Sequence, residues 1–83
     1  MSSSKALVRQ FLSDHFLLDA EAQRYADSDS FMARHLLDSM GFMELVAFLE
    51  EQFGIQVEDG EIVPANLDSL DAIDAFVTRK RSA

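Results

Sequence analysis

The protein has 83 residues, 48% of them hydrophobic, with seven Phe, which is enough for one small folded domain with a modest core. The chain has no Cys, and this excludes disulfides, thiolate metal sites and a thiol nucleophile of its own. Its net charge of −8 argues against nucleic acid as a partner.

The first predicted helix covers residues 4–18, with Ser3 or Ser4 as its N-cap. Apolar side chains recur there every three or four positions, and they are Leu7, Val8, Phe11, Leu12 and Phe16. The more polar residues 19–35 have no sustained period. They predict a long loop, with room for a short helical turn at 20–25.

The clearest helix is predicted over residues 39–53, and Gly54 follows as a natural stop. Its inward stripe is expected to contain Met43, Val46, Leu49 and Phe53, widened by Phe42 and Leu45. Residues 55–57 are too short for a lone strand, and their apolar ends are expected to fill the core. In residues 58–67, Gly60 and Pro64 leave room for at most one short helical turn.

A last helix is predicted over residues 69–80, and basic residues at its end suit the helix dipole. Its inward side chains are expected to be Leu70, Ile73, Phe76 and Val77. Three main helices and one short helix, joined by a long first loop, predict an all-α fold. The economical arrangement is a small antiparallel four-helix bundle in a single domain.

No apolar run approaches the roughly 20 residues that a membrane-spanning helix needs. The N-terminus also lacks the apolar core of a signal peptide. We therefore expect a soluble, cytoplasmic monomer without a membrane partner.

Charge is distributed unevenly along the chain. No Lys or Arg lies between His35 and Thr78, where ten acidic residues occur. Such a run is most often a solvated face, yet it also attracts basic protein surfaces. It repels the phosphates of nucleic acid, which is consistent with the exclusion above.

Two similar stretches, LLDSMGFMEL at 36–45 and LDSLDAIDAF at 67–76, each place an Asp-Ser pair at a predicted helix start. Capping is the first explanation for such a pair. It is sufficient at the second stretch, where Asp68 and Ser69 are expected to share the cap. Asp71 adds a negative charge to the same turn.

The first stretch has more to explain. If Asp38 is the cap, Ser39 begins the helix with an exposed hydroxyl, at a place that favours an anion such as a phosphodiester. Beside it an apolar strip is expected to face solvent, although Phe42 can also pack in the core. The strip consists of Met40, Phe42 and Ala47, and its acidic border consists of Glu44, Glu50 and Glu51. This composition is typical of a transient docking surface.

The sequence DSMGFMELVAFLEEQFGIQV at 38–57 resembles the carrier-protein family. That family has Asp-Ser-[Leu/Met], three residues, then an acidic residue and Leu, here Asp38-Ser39-Met40 followed by Glu44-Leu45. The LEEQFGI segment is also typical of it, and the resemblance covers roughly residues 5–79. It implies a free-standing carrier domain over 1–83, a four-helix bundle with short flexible ends, whose second helix begins at the modified serine.

Position distinguishes the two serines, because the local pattern fits both. Only 14 residues follow Ser69, which is one helix, while 44 follow Ser39. The family has two further helices after the one that begins at its modified serine, so the resemblance selects Ser39.

The resemblance implies that Ser39 receives 4′-phosphopantetheine from coenzyme A through a phosphopantetheinyl transferase. The thiol of that arm would hold an acyl or aminoacyl group as a thioester. Other implied partners are an adenylating or other loading enzyme and a downstream transferase or synthase, each with a basic docking patch. The implied recognition residues are Asp38, Met40, Phe42, Glu44, Ala47, Glu50 and Glu51. The protein itself would be neither an enzyme nor a metal protein.

The cargo class stays open, and the resemblance favours an amino acid over a fatty acid. Many fatty-acid carriers have Gly two residues before the Asp, where this chain has Leu36, and Gly41 is unusual in a first helical turn. The LLDSMG segment is similar to carriers of amino acids and to some peptidyl and polyketide carriers. Cargo is expected to shelter, at most, near Val46, Leu49 and Ile62.

Three other functions have some support in the residue types of the sequence. Ser39, His35 and Asp38 contain the residue types of a catalytic triad, but they are nearly adjacent and no oxyanion loop is visible. Asp27, Asp29 and Asp38 match three positions of a calcium loop, whose Gly and final Glu are missing. A small helical interaction module without a prosthetic group is the remaining alternative to a carrier.

Overall fold

A computed structural model of the protein describes residues 4–16, 20 and 23–82, which form an all-helical bundle. Within this part of the chain there is no strand, and no helix is long and apolar enough to cross a bilayer. The helices are α1 (Ser4–His15), α2 (Ser39–Phe53), α3 (Pro64–Leu67) and α4 (Leu70–Ser82), with a 3-10 turn at Asp59–Glu61. The predicted fold class is confirmed.

The first helix ends earlier than predicted. α1 begins at Ser4, ends at His15 and is followed by a turn at Phe16. Residues 17 and 18 of the predicted helix, and the alternative cap Ser3, lie outside the described residues. Val8 and Leu12 are its buried side chains, so the inward face of the predicted stripe is confirmed.

The last helix is the centre of the packing, because it contacts the three other helices. Its side chains Leu70, Ile73, Phe76 and Val77 are at most 2% exposed, as predicted. The helix begins one residue later than predicted and continues to Ser82. Ser69, the residue before it, accepts a hydrogen bond at Oγ from the amide of Ala72 at 3.0 Å.

The bounds of α2 are those predicted, because both of its ends are encoded locally. Asp38 Oδ1 accepts a hydrogen bond from the amide of Gly41 at 2.7 Å and closes the first turn. Gly54 has φ 64°, a left-handed conformation that costs glycine little, and its amide binds the carbonyl of Glu50 at 3.0 Å.

The inward face of α2 differs from the prediction at Met43. This side chain is 54% exposed, while Leu45, Val46 and Leu49 are buried. A helix with 3.6 residues per turn places Met43 about 160° around the axis from Leu45, and this directs it to solvent. Phe42, which the sequence placed on the widened inward stripe and also on the solvent strip, is half-buried and packs against the core.

The segment between α2 and α4 contains two short helical turns where at most one was predicted. Glu58 and Glu61 form a reciprocal capping box around the 3-10 turn. Pro64 then begins α3, since its fixed φ suits a first helical position. Ile55 and Val57 are half-buried against the core, as expected of their segment.

Among its described residues, the first connection contains a helical turn at 31–35, while the turn expected at 20–25 falls partly on residues outside the described part. Residues 21 and 22 lie outside the described part, and residues 23–25 are not helical. The turn ends at His35 with φ 58°, and the amides of His35 and Leu36 bind the carbonyls of Met32 and Phe31 at 3.1 and 2.9 Å. This is a Schellman ending in which His35 occupies the position usual for Gly.

The connection is attached to the bundle by charged and aromatic side chains. The Asp27 carboxylate lies 2.9 Å from Arg9 and 3.7 Å from Lys5, and Lys5 also binds Asp71 at 2.7 Å. The Arg9 guanidinium stacks over the buried ring of Tyr25, 4.4 Å from its centroid. The connection is thereby fixed between α1 and α4.

Candidate functional site

Ser39 lies at the first residue of α2 with its side chain exposed. Its hydroxyl has no hydrogen-bond partner among the described residues, because the Asp38 carboxylate already caps the helix. The amides of Ser39 and Met40 likewise have no acceptor in the described part of the chain. The free hydroxyl therefore sits beside unpaired N–H groups at the positive end of a helix dipole, an arrangement that favours a bound anion.

The second Asp-Ser pair divides its roles in the opposite way. Ser69 is half-buried and caps α4 through its bond from Ala72. The prediction that Asp68 shares this cap is wrong, because its carboxylate accepts hydrogen bonds from Ser30 Oγ and from the Met32 amide. Adjacent side chains at a helix start point in different directions, so one residue of each pair caps its helix. Asp38 caps α2, and Ser69 caps α4.

An apolar cavity of about 250 Å³ adjoins Ser39. Ser39 contributes the one polar side chain among the lining residues described. The remaining walls come from the first connection, α2, the segment before α3 and α3 itself: Met32, Phe42, Met43, Ile62, Val63, Pro64 and Leu67. A cavity lined in this way is suited to an uncharged apolar group.

The lining of this cavity agrees only in part with the residues that were expected to shelter cargo. Ile62 lines it, but Val46 and Leu49 are 6% and 0% exposed and belong to the core. One wall that the prediction did not include had a signal in the sequence. It is the apolar run Ile62-Val63-Pro64, at the end of an acidic stretch. Met32 gave no such signal, because it lies in a different segment of the chain.

The solvent face of α2 carries an apolar strip, which we define as Met40, Met43 and Ala47. Met40 is 75% and Met43 54% exposed, and Ala47 is exposed as well. Phe42, predicted for this strip, lines the cavity instead. The strip begins next to Ser39 and runs along the helix for two turns.

The three glutamates predicted to border the strip have different environments. Glu44 Oε2 lies 2.9 Å from Nε2 of His15, on α1. Glu50 accepts a hydrogen bond from the amide of Val57 at 2.9 Å, so it also holds the segment after α2. Glu51 is exposed and has no ion-pair partner among the described residues. A role of these glutamates in partner recognition stays a prediction.

The structure explains the unusual glycine in the first turn of α2. Gly41 is buried, and a Cβ placed on it would lie 3.1 Å from Leu37 Cδ2, 3.3 Å from Asp38 Oδ1 and 3.4 Å from Phe16 Cε1. The absence of a side chain lets the residues after α1 and before α2 pack closely. The start of α2 is therefore positioned from two sides.

The residues of the rejected triad make no relay. The Asp38 carboxylate is bound to the Gly41 amide, and the exposed ring of His35 has no hydrogen bond among the described residues. The carboxylates of the rejected calcium loop are also engaged, Asp27 with Arg9 and Asp29 with the amide of Ala26 at 2.9 Å.

No family model matches this chain, and no solved structure matches it at a significant level. The fold and the site themselves define a class: a small four-helix protein that presents a free serine hydroxyl at a helix N-terminus, beside an apolar cavity.

Proposed function

We propose that the protein is a carrier that holds an acyl or aminoacyl group as a thioester on a 4′-phosphopantetheine arm attached to Ser39, and presents it to partner enzymes. The observation that carries this proposal is the division of roles at the start of α2. Asp38 caps the helix, while the neighbouring hydroxyl of Ser39 stays exposed and without a partner among the described residues. The resemblance of residues 38–57 to the carrier family supports the same assignment.

The surroundings of Ser39 fit a phosphodiester. The unpaired amides of Ser39 and Met40 and the helix dipole would stabilise its negative charge. Attachment would form a bond between Ser39 Oγ and a phosphorus of coenzyme A, break the pyrophosphate linkage and release adenosine 3′,5′-bisphosphate. The hydroxyl proton would pass to a base of the transferase. The arm supplies the thiol that this Cys-free chain lacks.

The cavity beside Ser39 favours cargo with an apolar part. A dry cavity of about 150 Å³ is large enough for benzene, and the cavity here has about 250 Å³. Once the arm is attached, the Ser39 oxygen is part of the phosphodiester, and the other described lining residues offer a charged amino group no polar side chain, so its burial among them is costly. Acyl cargo therefore fits the walls better than the polar part of an aminoacyl group.

The exposed face of α2 is the proposed docking surface for the transferase, the loading enzyme and the downstream transferase or synthase. The apolar strip offers Met40 and Met43, whose flexible thioether side chains adapt to different partners. Asp38, which caps α2, and Glu51, within α2, are exposed and would attract a basic patch. A small strip with exposed charges supports weak binding, which suits a protein that must leave each enzyme in turn.

The decisive experiment is intact-mass spectrometry after incubation with coenzyme A and a broad-specificity phosphopantetheinyl transferase. We expect one phosphopantetheine on the native protein and on Ser69→Ala, and none on Ser39→Ala. Circular dichroism of Ser39→Ala should show an unchanged fold, because its hydroxyl supports no described contact. Absence of the addition, or its persistence in Ser39→Ala, would refute the assignment.

The second candidate is a helical interaction module without a prosthetic group. The large exposure of Met40 and Met43 favours it, because these side chains offer apolar contact area whether or not Ser39 is modified. Under this alternative no phosphopantetheine would be added. For a carrier, loading of the modified protein by candidate adenylating enzymes would then distinguish fatty, polyketide and amino acid cargo.

A further inference from the structure

Asp68 joins two distant parts of the chain. One carboxylate oxygen accepts a hydrogen bond from Ser30 Oγ, and the other accepts one from the amide of Met32 at 3.0 Å. Its backbone carbonyl accepts a third bond, from the amide of Phe31 at 2.9 Å. We call the two carboxylate bonds the Asp68 latch. They hold residues 30–32 against the junction between α3 and α4.

Both segments joined by the latch contribute walls of the cavity beside Ser39. Met32 belongs to the first connection, while Pro64 and Leu67 belong to α3, which ends one residue before Asp68. Each latch bond therefore lies within one or two residues of a lining side chain. Loss of the two carboxylate bonds would leave only the backbone bond at Phe31 between the segments and would release Met32.

The side chain of Asp68 has no other described task, since Ser69 caps α4. Beneath the latch, Phe31 is fully buried and forms an edge contact with Tyr25 at 5.7 Å between ring centroids. Met32 is instead 52% exposed. Release of the latch would thus leave Phe31 anchored in the core and allow Met32, at the edge of the cavity, to move outward.

We propose that Asp68 is a positioning residue that sets the width of the cavity beside Ser39 and thereby limits the size of the apolar group it admits. While its carboxylate holds Ser30 and Met32, the cavity keeps its size. When these bonds break, the Met32 wall moves away from α3 and larger apolar groups enter. The identification of that apolar group with carrier cargo rests on the proposed function. The effect of Asp68 on the width of the cavity does not depend on it.

The first test measures amide hydrogen exchange in the unmodified protein. It compares two amides whose hydrogen-bond acceptors, Asp68 and Ser69, are adjacent in the chain. The Met32 amide is bound by Asp68, and the Ala72 amide is bound by Ser69. Asp68→Ala should accelerate exchange at Met32 relative to Ala72 by about tenfold, the factor expected from loss of a hydrogen bond to a charged group. The matched control Ser69→Ala should accelerate Ala72 and leave Met32 unchanged.

The second test compares the binding of a smaller and a larger apolar molecule to the cavity. With methyl-¹³C methionine, the signals of Met32 and Met43 report the cavity, and Met40, which does not line it, is an internal control. Benzene should shift the first two signals in the native protein. In Asp68→Ala, affinity for naphthalene relative to benzene should rise by about tenfold, by the same reasoning, and it should not rise in Ser69→Ala.

Ser30→Ala provides a second way to weaken the latch while Asp68 and the start of α4 stay intact, and it also removes the acceptor of the Ala33 amide bond at 3.1 Å. It should raise the naphthalene-to-benzene ratio in the same direction, by a smaller factor, because the bond from Met32 remains. Unchanged ratios in both variants, or an equal rise in Ser69→Ala, would overturn the proposal. None of these measurements uses phosphopantetheine, so they succeed or fail independently of the carrier assignment.

Discussion

Replacement of Gly41 by alanine tests whether close packing or helix propensity governs the start of α2. The new Cβ would lie 3.1 Å from Leu37 Cδ2 and 3.3 Å from Asp38 Oδ1. Neither neighbour can retreat freely. Leu37 is 7% exposed and packs in the core, and the Asp38 oxygen is the one that binds the Gly41 amide at 2.7 Å.

The magnitudes oppose each other. Alanine in place of glycine gains up to about 1 kcal/mol of helix propensity. Overpacking costs about 1–3 kcal/mol, and a weakened N-cap costs up to about 2 kcal/mol more. We therefore expect Gly41→Ala to lower the free energy of unfolding by about 1 kcal/mol net, which corresponds to a fall in Tm of about 4–8 °C in a domain of this size.

The same helix supplies a calibration. Ala47 is exposed within α2, so Ala47→Gly measures the propensity difference almost alone and should destabilise the protein by about 1 kcal/mol. Urea unfolding followed by circular dichroism gives both values. If Gly41→Ala stabilised the protein by as much as Ala47→Gly destabilised it, propensity alone would account for both and the packing argument would be wrong.

Three further predictions concern other parts of the bundle. His35→Gly should raise the free energy of unfolding by about 1 kcal/mol, since a non-glycine residue at positive φ is strained; a lower urea midpoint would contradict this. Tyr25→Phe should leave stability unchanged or raise it by about 1 kcal/mol, because the buried hydroxyl has no partner among the described residues; a clear loss in thermal unfolding would show that it has one. The pKa of Glu61 is lowered mainly by the hydrogen bond from Lys80 and next by that from the Glu58 amide. Glu61 therefore stabilises the fold above its unfolded pKa, and this stabilisation is lost as pH falls through its folded pKa. Glu61→Gln should accordingly be less stable than the native protein at pH 7, and the difference should vanish in acid unfolding curves; a difference independent of pH would refute this.

The parts of the fold that follow from local chemistry were predictable. The bounds of α2 were predicted correctly because Asp38 and Gly54 encode its ends within a few residues. The inward face of α4 was predicted because its apolar residues define one stripe. In α2 the apolar residues cover more of the circumference, so the sequence does not fix the centre of the inward face. The neighbouring elements bury Leu45, and helix geometry then places Phe42 inward and Met43 outward.

The parts that depend on distant segments were not predictable. The cavity joins Met32, α2 and α3, and no window of sequence contains all its walls. The turn at 31–35 was missed because histidine occupies the left-handed position where glycine would have marked the end. The role of Asp68 was missed because its partners, Ser30 and Met32, lie more than 30 positions away.

The exposed methionines have a consequence for the behaviour of the protein under oxidative stress. In a chain without Cys, Met32, Met40 and Met43 supply all the sulfur atoms of the described residues, and each residue is more than half exposed. Transfer of one oxygen atom from a peroxide would convert each to a polar sulfoxide and release water or an alcohol. Because these side chains lie near Ser39 and outside the core, the damage would fall on the proposed docking surface and the edge of the cavity while the fold persists, and methionine sulfoxide reductases would be able to reverse it.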